Sequence, residues 1–512
     1  MMTAIQPLSP SQNRDPRPHA VVIGAGLGGL AAAIRLGARG YRVTILERLE
    51  QPGGRASVFA QDGFRFDAGP TILTAPFVFE ALWALCGRTM ADDITLHDLD
   101  PCYVIRFADG RRFRCMRDGD AMRREVASFN PGDVDGYERF LEESKRCFES
   151  GFVKMVDRPF NTITSMVGAL PVLMQRRAYR SVHALVSSYI KDENIRRALS
   201  FHPLFIGGNP MRASSVFSLI SYLEREWGVH YVMGGIGALV RGLANLVEGQ
   251  GGRVCLNCDV DEILVERGRA VGVKLAGGER VSADIVVSNG DPAWVYRNLM
   301  PASRRRRWTD RKLQNAHYSM SLMVWYFGTN RQYHDVDHHT ILLSDRYKDL
   351  ITDIFDRKIL ADDFSLYLHR PTATDASVAP PGHDAFYVLS PVPNLDAGID
   401  WDVAAEPYRQ KIEAFLEREI LPGLSKSIVS SRLMTPNDFE TRLLSYKGAA
   451  FGFEPRITQI AYFRPHNISE EIDNLFLVGA GTHPGAGMPS VVESAKILDK
   501  IVPHGEELVR AA

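Results

Sequence analysis

Cysteine is scarce in this chain, six in 512 residues. That excludes the disulfide framework of a small secreted domain and points to a reducing compartment. Cys255 and Cys258 form a lone CxxC inside RVCLNCDV, a stretch that alternates like a strand. Neither a second CxxC nor a nearby histidine pair completes a zinc site, so structural cysteines are expected and no metal. An excess of one charge is missing too, since 60 Lys and Arg against 61 Asp and Glu leave a formal net charge of −1. A nucleic-acid binder carries a basic bias, so nucleic acid is not expected as a partner. The one basic run, SRRRRW with arginines at 304–307, reads as a solvated patch, with a nucleic-acid or membrane contact as the alternative. The polar, proline-rich opening MMTAIQPLSPSQNRDPRPH has no apolar core, so no signal peptide is expected and residues 1–18 read as a disordered extension. Nowhere do about 20 apolar residues run together, so no transmembrane helix is expected. The expectation is a protein of the cytosol, or one resting on the cytoplasmic side of a membrane without crossing it.

What the chain does have is length, apolar residues and patterned glycine. It exceeds one ordinary core, so two or three domains are expected, and 45% apolar residues suffice to fill them. AVVIG, from Ala20, reads as a short strand. Gly24, Gly26 and Gly29 then spell G-x-G-x-x-G and open a helix with Leu30, Ile34 and Ala38 on one face. Gly40 ends that helix, and YRVTILE is a second strand closing on Glu47. This is a βαβ dinucleotide fingerprint with its context intact. Gly24 permits the tight turn, Gly26 lets backbone approach a pyrophosphate, and Gly29 allows close helix–strand packing. The helix N-terminus offers free N–H groups to the phosphates. Glu47 stands 18 residues after Gly29, where a carboxylate binds the ribose hydroxyls and repels a 2′-phosphate. NADP is therefore disfavoured despite the neighbouring Arg48, which is placed with Glu47 at the cofactor.

The following residues favour FAD over NAD. QPGGRAS brings Gly53, Gly54 and Arg55, and FDAGPTIL brings Gly69, Pro70 and Thr71. A flavin cofactor needs a second glycine-rich contact and a cation near its diphosphate, which suits Arg55. Residues 474–496, NLFLVGAGTHPGAGMPSVVESAK, repeat the strand, glycine turn and helix. LFLV is expected to return to the same sheet, and the turn with Gly479, Gly481, Gly487 and Met488 to bring backbone amides against the ribityl phosphate and flavin ring. Pro489 reads as the first helical residue. The positive end of that helix would stabilise reduced flavin by roughly 0.3–1 kcal/mol. Residues 251–291 read as short alternating strands with glycine turns, and the strand edge near Val260 is expected to meet the adenine.

Two insertions separate these segments. In the first, Val216, Leu219, Ile220, Leu223 and Trp227 share one helical face, as do Val182, Leu185, Val186, Tyr189 and Ile190. ITSMVGALPVLMQRRAYR reads either as a core helix or as an interfacial one, with Arg176, Arg177 and Arg180 at lipid headgroups. In the second, MSLMVWYFG, FSLYLHRP and AFYVLSPVPN crowd aromatics and methionines as a large apolar ligand requires. His334, His338 and His339 in YHDVDHH lack a defined ligand spacing.

Together these stretches, above all FIGGNPMRASSVFSLISYLEREWGVHY, GGIGALV, DDFSLYLHRP, YVLSPVPN, FRPHN and LVGAGTHPGAGMP, resemble the bacterial and fungal phytoene desaturases of the FAD-containing amine oxidase superfamily. The resemblance spans about residues 18–500. It implies an α/β fold with α+β insertions. A Rossmann-like FAD-binding domain of glutathione-reductase/amine-oxidase type would form from residues 19–95, 231–298 and 441–512. A helical, membrane-associated insertion would occupy 96–230 and a mixed-sheet substrate domain 299–440. It further implies hydride abstraction from an allylic CH₂ of the C40 hydrocarbon phytoene, then proton loss, giving neurosporene and/or lycopene. Oxygen or a membrane quinone would reoxidise the FAD; whether the chain forms a homo-oligomer is left open by the sequence. Val232 stands where many members have proline, which bears on the substrate channel, and Glu493 stands where a small residue is common, read as surface charge. Glu454 and Asp157 are the candidate bases. The rival readings are a carotenoid cis–trans isomerase, then an amine oxidase, then a flavin-dependent carotenoid carrier.

Overall fold

The structure, a computed structural model, describes residues 15–511; most of the N-terminal extension lies outside them. Short, largely apolar runs build a five-stranded parallel sheet in the order 475–477, 285–288, 19–23, 42–46, 253–255. Its strands His19–Ile23 and Ile285–Ser288 are continuous apolar runs because both faces are covered. Helix Leu27–Ala38 crosses between the first two strands, and helices Ile236–Gly249 and Met488–Lys496 pack against it. The sheet therefore draws on the N-terminal, middle and C-terminal parts of the chain. Gly268 and Gly278 turn a small antiparallel sheet of Val260–Glu266, Arg269–Leu275 and Arg280–Ser282.

A second, seven-stranded sheet runs 428–434, 321–329, 384–392, 366–369, 339–342, 103–106, 112–115. All its pairs are antiparallel except Tyr103–Arg106 with His339–Leu342. Strand Ser321–Thr329 is buried on both faces. Met323, Trp325 and Phe327 pack with Ile412 and Leu416 of helix Trp401–Glu419, while Leu322, Val324 and Tyr326 face the other way. Period-two alternation thus sorts one aromatic strand into a core side and a cavity side.

The six cysteines are free, and burial raises the Cys255 thiol to about 11. The arginine run is only partly solvated: Arg305 is buried against Asp310 at 2.8 Å, and Arg307 lies 3.6 Å from Glu470. Among the described residues no helix is long and apolar enough to cross a membrane.

Candidate active site

Both sheets line one cavity of about 590 Å³, within the range of ligand sites. At one end strand His19–Ile23 stops at Gly24, whose φ of +93° L side chains rarely adopt. Gly26 caps helix Leu27–Ala38, and a Cβ there would fall 2.7 Å from Asn289 Nδ2. At Gly28 a Cβ would fall 2.5 Å from Asn289 Oδ1. The bare turn and the helix's free first-turn amides make an anion cradle. Gly29 does not line it; a Cβ at Gly29 would sit 2.0 Å from the Gly24 carbonyl oxygen, so this glycine serves packing.

Glu47 is buried on the cavity wall and accepts the N–H groups of Ala25 at 2.7 Å and Leu49 at 2.9 Å. Burial pushes its carboxyl above the ordinary value, and each oxygen keeps a lone pair for a hydroxyl donor. Arg48 also lines the cavity, but its Nη1 donates to the carbonyls of Thr441 at 3.1 Å and Arg442 at 2.7 Å. It braces the wall. Gly53 and Gly54 carry the turn into Arg55, whose Nη2 donates to Ser445 Oγ at 2.6 Å. Arg55 Nε has no partner, and burial pushes the guanidinium below its ordinary value, with Asp291 as countercharge. A desolvated guanidinium with an unused donor fits a diphosphate. Gly69 closes over it, a Cβ there lying 2.1 Å from the Arg55 carbonyl oxygen. Pro70, Thr71 and Val260 complete this part of the lining.

From the C-terminal segment, Gly487 caps helix Met488–Lys496, and Met488, Pro489 and Ser490 line the cavity. Met488, not Pro489, is the first helical residue. Gly479 and Gly481 are off the lining. Their Cβ atoms would fall 2.6 Å from Asn289 Oδ1 and 2.1 Å from Pro292 Cδ, so both glycines let strands and helix close on one another. Asn289, which wedges between these glycines, escaped the sequence reading because nothing in VVSNGD marks it. Asp291 was more legible: an Asp before Pro-Ala-Trp is a cap signature, and it accepts from Ala293 N–H at 2.9 Å and Trp294 N–H at 3.1 Å.

The other half of the cavity is apolar. Tyr326, Tyr367, Tyr387 and Leu389 line it from the large sheet, and Phe201, Phe205 and Met320 lie on its wall. Val216, Leu219, Ile220 and Leu223 form a stripe expected in a helical core, yet they also face the cavity. Val182, Leu185, Val186 and Ile190 are core, with Tyr189 half-buried. Leu173, on the inner face of helix Ile163–Gln175, reaches the lining as well.

Neither candidate base lies on this wall. Glu454 is buried in an ion pair with Arg456 at 2.7 Å and Arg212 at 3.5 Å. Asp157 is held by Lys500 at 2.8 Å and Lys496 at 3.4 Å. Glu493 is buried 3.3 Å from Lys496, not a surface charge, and Val232 packs in the core away from the cavity. The carboxylate that does stand among the apolar lining is Glu224; mid-helix in YLEREW, it carries no sequence signal.

Behind Tyr367, His338, His339 and His369 (without His334) bring ring nitrogens within 4.8 Å of one another. His338 Nε2 lies 3.1 Å from His369 Nε2, and Nδ1 of His339 lies 2.7 Å from the Tyr367 hydroxyl. Burial pushes all three well below the ordinary imidazole value, His338 to about 3. His338 and His369 bond to one another and His339 to Tyr367, while Nε2 of His339 is buried without a partner.

A family model described as flavin containing amine oxidoreductase matches residues 27–497. Neurosporene-forming phytoene desaturases of Cereibacter sphaeroides and Rhodobacter capsulatus are 49% and 47% identical over 510 and 499 residues. These alignments cover 99% and 96% of this chain and 98% and 95% of the relatives. A lycopene-forming phytoene desaturase of a Paracoccus species is 46% identical, covering 94% of this chain and 97% of the relative. In fold the chain is similar to a putrescine oxidase variant, with a TM-score of 0.63 at 15% identity, covering 94% of this chain and 99% of that one. An oxidoreductase from Methanosarcina mazei gives 0.60 at 17% identity, covering 94% and 100%. The family is described as flavin containing.

Proposed function

The chain belongs to the flavin containing amine oxidoreductase family and, within it, to the phytoene desaturases, and from that premise we propose that it is an FAD-dependent desaturase converting phytoene to neurosporene and/or lycopene. One observation carries the reading: a single cavity is lined both by the bare glycine turn and by a large apolar set of side chains that includes Leu173 of helix Ile163–Gln175. A hydrocarbon needs such a lining, since it offers no polar group to bind.

The amides of the turn and helix Leu27–Ala38 would hold the pyrophosphate of FAD, with Arg55 as its cation, Glu47 on the ribose and Val260 beside the adenine. The start of helix Met488–Lys496 would face the ring system. Bound FAD supplies a two-electron acceptor. The chain's own part is to orient an extended polyene between the tyrosine-bearing sheet and the Val216–Leu223 stripe and to exclude water from it.

The same helix supports attachment to a membrane surface. Ile163, Val167, Leu170 and Met174, spaced 4, 3 and 4, are 44–61% exposed on its outer face, while Met166, Ala169 and Leu173 are buried on the other. A lipid-soluble substrate would enter past this helix, and a membrane quinone or oxygen would reoxidise the cofactor.

To test it, purified protein with FAD is mixed anaerobically with phytoene-loaded liposomes, and quinone is then added. Bleaching of the flavin followed by structured polyene bands is expected, the band positions counting the new double bonds. Flavin that stays oxidised, with no polyene after the acceptor, refutes the reading; a product of unchanged mass would favour an isomerase.

A further inference from the structure

One carboxylate on the cavity wall is unlike the rest. Glu224, in helix Leu219–Trp227, is 2% exposed and lies among Leu223, Phe201 and Phe205. Its Oε2 accepts the Tyr103 hydroxyl at 2.8 Å, and His202 Nε2 lies 3.1 Å away. Tyr103 and His202 are themselves 3.0 Å apart. The other carboxyl oxygen, Oε1, has no partner. The remaining carboxylates of the lining are otherwise engaged: Glu47 takes two backbone N–H groups, Asp291 caps a helix, Asp438 closes a capping box with Thr435, and Asp259 lies 3.8 Å from Arg48. A buried carboxylate oxygen left unpaired costs free energy. A ligand that brings a proton or a developing positive charge offsets that cost.

We propose that Glu224 is the base of the desaturation, a catalytic residue that receives the proton lost as the double bond forms; this rests on the desaturase reading. In each round one C–H bond breaks with its electron pair going to bound FAD, which is reduced by two electrons. The neighbouring C–H bond then breaks, its electron pair becomes the new C=C bond, and its proton goes to Oε1 of Glu224 and later to solvent. Tyr103 and His202 are positioning residues: by engaging Oε2 they leave Oε1 unpaired. The negative carboxylate also stabilises the allylic cation before the proton leaves. The titratable groups around it are His202 from the segment before the helix, Tyr103 and Cys115 from paired strands, and Tyr137 from the facing helix, while Arg225 turns away to the Met116 carbonyl.

Glu224→Gln keeps the shape and removes the charge. Phytoene conversion in a single anaerobic turnover is expected to fall by about 100-fold or more, the range of general-base contributions. Glu224→Asp should recover part of it. A readout independent of turnover is binding of protonated hexadecylamine against hexadecanol, followed by tryptophan fluorescence of the FAD-loaded protein. Wild type should prefer the amine about tenfold, and Glu224→Gln should not. If Gln at 224 prevents folding, Glu224→Asp, which keeps the charge on a shorter arm, should keep the preference for the amine while converting phytoene several-fold more slowly; conversion at the wild-type rate overturns the proposal. Conversion by wild type and Glu224→Gln at equal rates overturns this assignment alone, whereas a wild type that leaves phytoene unchanged overturns the desaturase reading as well.

Discussion

Two glycines three residues apart do different work. Gly26 lies on the cavity and a Cβ there would meet the tip of Asn289, whereas a Cβ at Gly29 would meet backbone at 2.0 Å. A side-chain amide can yield and a backbone carbonyl in a tight turn cannot. Gly29→Ala should therefore cost roughly 2 kcal/mol or more by overpacking, read as a lower melting temperature of the flavin-free protein. Gly26→Ala should melt closer to wild type yet retain several-fold less flavin after gel filtration; equal behaviour of the two variants would contradict this division. His19 shows the same logic for charge. Its ring contacts the Ser282 carbonyl at 2.7 Å and Thr44 Oγ1 at 2.9 Å, and burial lowers it from 6.5 to about 4. Between these values the unfolded chain binds the proton and the folded one does not. This histidine thus makes stability fall as pH drops from about 6.5 to 4. His19→Gln should flatten the melting temperature over that window relative to wild type, and a parallel curve would count against it.

Helix Ile163–Gln175 illustrates what an element decides beyond its residues. Its apolar outer stripe fits an interfacial helix, but the basic flank does not all point to headgroups. Arg176 turns inward to Glu143 at 3.3 Å and Arg180 donates to the Ala184 carbonyl at 2.8 Å, leaving Arg177 exposed. The stripe should then dominate vesicle binding, at about 25 cal/mol per Å² of apolar surface buried. The double change Val167→Asp and Met174→Asp, both at exposed positions, should release the protein several-fold from neutral liposomes while moving its melting temperature by only about 2 °C. Undiminished binding would place the membrane contact elsewhere. Strand Ser321–Thr329 makes the complementary point. Its alternation was legible as a strand, but which parity faces the cavity follows from where helix Trp401–Glu419 packs.

At the scale of the whole molecule, three distant segments wall one cavity, so a cofactor there adds contacts between parts of the chain that also meet through the sheet and through helix Leu27–Ala38. Binding to the folded state alone stabilises by RT ln(1 + [L]/Kd), about 2.7 kcal/mol at a hundred times Kd. Added FAD should raise a single melting transition in proportion to its logarithm. Two transitions, with FAD moving only one, would show that the antiparallel sheet unfolds apart from the cofactor cradle.

The sequence by itself determined the elements whose cause is local. A left-handed turn at Gly24 needs glycine, a strand and helix flank it within a few residues, and a carboxylate at Glu47 ends the next strand. Such features rest on backbone sterics and short-range order, and the cavity passes along them. The length-wide pattern of motifs likewise fixed the family. Only the tertiary structure decided which side chains meet across hundreds of residues. Gly479 and Gly481 look like cofactor contacts in sequence and are clearances for Asn289 and Pro292, because a glycine's reason lies in the atom opposite. Asp157 and Glu454 look like free acids and are neutralised by Lys500 and Arg456. Glu224 looks like one charge in a helix and stands in an apolar chamber, because burial and pairing belong to the packed chain and have no local signature.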